Sequence, residues 1–186
     1  MKNSPTIGFI SAPAWFDPAP SEFPKVVEEA VRTQQTPLLI PEFDYRFESI
    51  ASVQNELNLC ARSLKAMGCD LVAQVGSPFA WACAESESEA RKRNESMTKA
   101  ATIPCVMTGL AIVDGLRSLG INKVTVNCTY YENDWRDGFA AFLRMCGFDT
   151  IHVSALSDQG LTESDAKMED YGWSMTHELT IRSVLA

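Results

Sequence analysis

The stretch from Ile103 to Phe148, IPCVMTGLAIVDGLRSLGINKVTVNCTYYENDWRDGFAAFLRMCGF, alternates short β-branched runs with longer amphipathic ones. Ile103 to Met107 reads as a short strand and Leu110 to Leu119 as a helix stopped by Gly120. Lys123 to Cys128 reads as a second strand, and Asp134 to Cys146 as a second helix, stopped by Gly147. The two helix ends, Leu119-Gly120-Ile121-Asn122 and Cys146-Gly147-Phe148-Asp149, share a grammar with Met67-Gly68-Cys69-Asp70 upstream. In each, glycine takes the left-handed C-cap that other residues resist, and a short turn leads into a buried strand. Strands joined through helices pair in parallel, because a parallel connection must cross from one end of the sheet to the other. The spacing therefore predicts an α/β, parallel-sheet layered fold.

Working outward, Thr6 to Ser11 (TIGFIS) reads as a buried strand, followed by a Pro-rich loop from Pro13 to Pro20. Ser21 is the expected cap of a helix with apolar face Val26, Val27, Ala30 and Val31, and Pro37 to Ile40 is a second strand. Ser49 is the expected cap of the next helix, with Val53, Leu57, Cys60, Leu64 and Met67 on one face. Asp70 to Val75 forms a third strand, Glu85 to Ala101 a polar helix, and Thr150 to Val153 the last strand. Thr162 and Asp165 resemble a capping box, with Met168, Tyr171, Met175 and Leu179 following at helical spacing. The sequence ends at Ser183-Val184-Leu185-Ala186 inside an apolar stretch, and the expectation is a fold that continues past it.

Composition narrows the partners. Sixteen Lys and Arg against 24 Asp and Glu give a net charge of −8, which repels phosphate backbones and anionic lipid. The densest basic cluster, Arg91-Lys92-Arg93, is surrounded by Glu85, Glu87, Glu89 and Glu95, so nucleic acid and membrane partners are not expected. No apolar run reaches the ~20 residues of a membrane span. The six cysteines form no CxxC pair, and several lie in apolar stretches, as thiols do in a reducing compartment. Neither His152 nor His177 is near a cysteine pair or carboxylate cluster, so a metal site is not expected. The expected setting is cytoplasmic.

In parallel α/β sheets ligands bind beyond the carboxyl ends of the strands. Four segments qualify: Ser11 to Pro20, Pro41 to Phe47, Gly76 to Trp81, and Cys128 to Asn133. None is a dinucleotide or phosphate-binding glycine loop, nor a GxSxG elbow. In Gly76-Ser77-Pro78 the glycine permits close approach of a ligand, and the Ser77 hydroxyl and nearby N–H groups can donate to a carboxylate; a plain βα turn is the alternative. Tyr130 could donate its phenol to an anion, or could simply cap the core. Cys60, Cys105 and Cys146 read as core residues and Cys69 and Cys83 as structural, leaving Cys128 as the one thiol at a strand's carboxyl end.

The segments SPTIGFISAPAWFDP, LVAQVGSPFAWACA and the Ile103–Phe148 stretch together resemble the aspartate/glutamate racemase superfamily, within it arylmalonate decarboxylases and maleate cis–trans isomerases. The resemblance runs from about Thr6 to the chain end, and its most specific part is the IP…GL..LG…V…Y…F…G pattern. It implies two pseudo-symmetric α/β lobes with a site between them and no metal or organic cofactor. The expected division is a first lobe over residues 1–110, then a linker helix and part of a second lobe over 111–186. It also implies a small dicarboxylate substrate, and a homo-oligomer is a further expectation.

Residue by residue, Gly76-Ser77-Pro78 matches the family's carboxylate-binding loop. Racemases and isomerases carry a catalytic cysteine there; this chain does not, as in the decarboxylases. Ser77 matches a hydroxylated position, Pro78 replaces a second hydroxyl donor, and Tyr130 matches the tyrosine that binds the retained carboxylate. The Pro13 loop and the Ile40–Phe47 loop correspond to pocket walls. The family's second catalytic cysteine would follow Ala186, so within this chain only Cys128 could take the proton-donor role. The implied chemistry is decarboxylation through an enediolate; racemization, maleate isomerization, a non-catalytic small-acid binder and a flavodoxin-like module are the competing expectations.

Overall fold

The computed structural model describes residues 4–13, 17–163 and 175–186. Two compact units divide the chain, Met1–Gly115 and Leu116–Ala186.

In the first unit β1 (Thr6–Ser11) pairs in parallel with β2 (Arg32–Pro37) and β3 (Leu71–Gln74), and β3 with β4 (Cys105–Met107), giving the order β2-β1-β3-β4. Alternate residues of β1 point to opposite faces. Phe9 meets Phe23 of α1 (Ala19–Val26) edge-on at 5.8 Å, whereas Gly8 lies against Leu64 of α3 (Gln54–Ala66), so the two helices cover opposite faces. Ile10, Ala61, Leu64 and Val72 are wholly buried. Each large aliphatic buried this way contributes roughly 1.5–3 kcal/mol. Alongside α3 runs α5 (Glu87–Ala101), joined to it where Asn58 Nδ2 donates to Ser96 Oγ (3.0 Å) and Gln54 Nε2 to Arg93 O (3.2 Å). Ser86 caps α5 by accepting from Glu89 N. The outer edge of β4 is satisfied by the same helix: Cys105 N donates to Thr98 Oγ1 (3.2 Å) and Asn94 Nδ2 to Cys105 O (2.9 Å).

The element order α6 (Thr108–Ser118), β5 (Lys123–Asn127), α7 (Asn133–Met145), β6 (Asp149–Ser154) continues the alternation, with β5 and β6 parallel. Within the second unit Arg117 donates to Cys146 O (2.8 Å) with its guanidinium over the Phe148 ring. The last helix, α8 (His177–Leu185), is capped by Thr176, which accepts from Leu179 N at 3.1 Å. Among the described residues no helix is long and apolar enough to cross a membrane.

The three glycine joints have the left-handed backbone that their sequence predicts, with φ of +87° at Gly68, +67° at Gly120 and +91° at Gly147. Other expectations are corrected. The second strand is Arg32–Pro37, not Pro37–Ile40. As an edge strand with half-buried residues, β2 tolerates the polar RTQQT run, and Leu39, expected in the second strand, lies outside it and is 84% exposed. Helix α1 begins before Ser21, whose hydroxyl donates back to Pro18 O, and it ends at Val26, where Val27 turns extended. The expected Ser49–Met67 helix is two, α2 (Phe47–Ser52) and α3, broken at Val53. Its buried face runs through Ala61, while Met67 is exposed. Ser49 lies inside α2, and the expected positions Asp165, Met168 and Tyr171 lie outside the described residues.

Two alanine substitutions separate these backbone effects. Nothing lies within 4 Å of the Cβ an alanine would add at Gly120, where φ is positive, or at Gly115 inside α6. Gly120→Ala should therefore destabilise by about 1 kcal/mol and Gly115→Ala should stabilise by about 0.5–1 kcal/mol in urea unfolding.

Candidate functional site

The carboxyl end of β3 runs through Gln74 and Val75 into Gly76, whose φ of +102° suits glycine alone. A Cβ there would also meet the Phe79 ring at 3.1 Å. Gln74, 1% exposed, folds its amide over this turn, donating to Val75 O and to Gly76 O (3.2 Å). Ser77 follows, buried, at the N-cap of α4 (Pro78–Trp81), a single turn whose four residues are all buried. Pro78 suits that position because its fixed φ matches the helix and its missing N–H is not needed there.

The start of α6 is pressed against the same turn. Thr108 Oγ1 donates to Gln74 O at 2.8 Å. At Gly109 an added Cβ would stand 2.8 Å from Ser77 O and 3.0 Å from Ala80 Cβ, so only glycine permits the approach. Aromatic side chains brace the far side: Phe43 stacks on Phe79 (6.4 Å), and Phe47 meets Trp81 edge-on (5.4 Å). Tyr45, at φ +57°, donates to Pro13 O and packs on Phe43. Pro13 is buried. Thus Pro13, the Ile40–Phe47 loop and Gly76-Ser77-Pro78 gather at one end of the first unit.

Tyr130 and Cys128 belong to the second unit, beyond β5. Cys128 N donates to Ser154 O (2.8 Å), and Thr129 takes a left-handed φ of +45°, unusual for a β-branched residue. Its N–H donates to Asn127 Oδ1 (2.8 Å) and its carbonyl accepts from Leu156 N (2.8 Å). Tyr130 emerges from this turn 36% exposed, its ring edge-on to Tyr131, which packs in turn on Trp135. Burial pushes the Cys128 thiol up to about 12, with Asp158 and Asp137 adding to the effect and Arg136 opposing it. The group therefore stays a thiol at neutral pH and is a poor nucleophile. Cys83, expected to be structural, is exposed.

Several of these residues escaped the sequence reading. Thr108 and Gly109 lie in the Ile103–Phe148 stretch, and a Thr-Gly pair straight after a strand was their available signal. Gln74, a polar residue closing the otherwise apolar Leu71–Gln74 strand, carried a similar one, whereas Asn127 follows a mixed KVTV run and carried none.

The arylmalonate decarboxylase family model matches residues 7–170 of the chain. Among solved structures, an arylmalonate decarboxylase superposes with a TM-score of 0.67 at 22% identity, covering 84% of this chain and 66% of its own. The maleate isomerase Iso from Pseudomonas putida S16 gives 0.68 at 18% identity, covering 83% of this chain and 64% of its own. A Nocardia farcinica maleate cis–trans isomerase C194S mutant, with a covalently bound succinylcysteine intermediate, gives 0.76 at 14% identity, covering 98% and 73%. The chain thus spans about two thirds of the length of the first of these structures. No curated protein matches it. At these identities the superpositions speak for the fold, and with the family model covering most of the sequence, the chain belongs to the arylmalonate decarboxylase family.

Proposed function

We propose that this chain carries the carboxylate-binding part of a cofactor-independent carbon-acid enzyme acting on a small dicarboxylate, by decarboxylation of the arylmalonate type. The observation that carries the reading is the turn after β3: a buried hydroxyl, Ser77, on a positive-φ glycine, with no thiol in the loop. That choice of residue types favours a decarboxylase over maleate isomerase or racemase chemistry, which the resemblance links to a cysteine at this position.

In the proposed reaction the bond from Cα to one carboxylate breaks and CO₂ leaves. The electron pair stays on Cα and spreads onto the retained carboxylate as an enediolate. Ser77 and Tyr130 donate hydrogen bonds to that carboxylate's oxygens. Charge grows there as the bond breaks, so fixed donors stabilise the transition state more than the ground state. The rigid setting of Ser77 between Gln74 and Gly109 suits this role, because a donor already in place needs no reorganisation. A proton drawn from water then bonds to Cα and completes the sequence. Cys128 is not assigned this step, because its burial at the end of β5 is that of a core thiol.

Incubating the full chain with phenylmalonate and following CO₂ release tests the reading; malonate binding without turnover would support a small-acid binding protein instead. Ser77→Ala should slow release about 100-fold, the usual loss for one such donor. Gly109→Ala, by displacing Ser77 O, should weaken malonate binding and lower stability by about 1–3 kcal/mol in the same preparation. At pH 8, iodoacetamide should modify Cys83 readily and leave Cys128 intact, as read by peptide mass mapping.

A further inference from the structure

Behind the Tyr130 turn, the side chains of Asn127, Ser183, Gln159 and Ser154 form one closed hydrogen-bond network within the second unit. Asn127 and Ser154 are paired residues at the carboxyl ends of β5 and β6, and Ser183 lies on α8, 1% exposed. Asn127 Nδ2 donates to Ser183 O (2.6 Å) and Ser183 Oγ (2.9 Å). Gln159 Nε2 donates to Ser183 O (2.9 Å) and Ser154 Oγ (3.1 Å). The single Ser183 hydroxyl proton goes to Gln159 Oε1 (2.8 Å), the shorter of its two contacts, with Asn127 Oδ1 at 3.1 Å. Asn127 Oδ1 is thereby left to Thr129 N at 2.8 Å. Both protons of each amide and the Ser183 hydroxyl proton are used.

A network this complete fixes the rotamer of Asn127, and what Asn127 holds is strained. A β-branched residue at φ +45° costs on the order of 1–2 kcal/mol, and it persists only where its surroundings dictate it. Asn127 Oδ1 on one side of the Thr129 peptide and Leu156 N on the other dictate it here. The next residue in the chain is Tyr130. Were the network only an anchor for α8, Asn127 would need its amide nitrogen alone; its oxygen is spent instead on the turn that aims the tyrosine.

We infer that Asn127 is a positioning residue for Tyr130, locked in place by Ser183 of α8 and by Gln159. The inference rests on the reading of Tyr130 as a carboxylate donor. It extends the functional apparatus to α8, whose Ser183 touches nothing that reacts. The side chain of Asn127 works through backbone: release of the Thr129 N–H lets the turn relax toward negative φ, and the phenol moves off its target.

A double-mutant cycle read by calorimetric titration of the full chain with malonate, alongside thermal melting, tests this. Tyr130→Phe and Asn127→Ala should each weaken malonate by about tenfold, and the double variant should bind no worse than Tyr130→Phe alone. Asn127→Ser retains an oxygen that can accept from Thr129 N–H but cannot span to Ser183. It should regain most of the affinity while melting as low as the alanine variant, a separation that simple loss of α8 docking cannot produce. Where Asn127→Ala fails to fold, Ser183→Ala, which leaves Asn127 whole but removes the hydroxyl that locks it, should weaken malonate several-fold, and unchanged affinity there would overturn the inference. Wild-type affinity in Asn127→Ala, losses that multiply in the double variant, or an Asn127→Ser protein as weak as Asn127→Ala would overturn the inference. Unchanged binding in Tyr130→Phe would instead remove Tyr130 from the site, and this role of Asn127 with it.

Discussion

Among the described residues every paired strand runs parallel to its neighbour, and the candidate site depends on that constraint. A parallel ladder sends all carboxyl ends of a sheet to one edge, and the chain must climb back through a helix each time. In the first unit this delivers Pro13, the Ile40–Phe47 loop, Gly76-Ser77-Pro78 and Thr108-Gly109 to a single end without any long excursion. In the second it places Asn127 and Ser154 side by side at the ends of β5 and β6. Helices starting at that edge then meet the turns at close range, and close range demands small residues. Gly109 against Ser77 O is the clearest instance.

The turns themselves are held by polar side chains that belong to the strands, Gln74 buried and Asn127 half-buried. Gln74 gathers two carbonyls of the Gly76 turn, and Asn127 takes the N–H of Thr129. Both residues occupy the last position of a strand, where the ladder's regular pairing stops and loose backbone groups begin. A side-chain amide is well suited to that place, since it offers two donors and an acceptor with few rotatable bonds. The two devices are chemically alike, though one supports a glycine and the other a strained threonine.

Much of the fold was legible because its signals are local. A glycine between an amphipathic run and a β-branched run announces a helix end wherever it occurs, and Gly68, Gly120 and Gly147 behave accordingly. What was not legible depended on sheet position. The RTQQT run looks unlike a strand until it is known to lie at an edge, and the break at Val53 has no glycine or proline to mark it. For the candidate site, Ser77 and Tyr130 could be singled out by residue type and place, and family resemblance supplied their roles. Gln74, Gly109 and Asn127 could not, because their importance lies in what they touch across the sheet.

The proposed function requires that the Gly76-Ser77 turn and Tyr130 act on one carboxylate. Amide and aromatic NMR signals followed while malonate is added to the full chain test it most directly. If that requirement is met, the backbone N–H signals of Gly76 and Ser77 and the ring signals of Tyr130 will shift together along a single binding curve. Movement of one set without the other, or two curves with different midpoints, would contradict it.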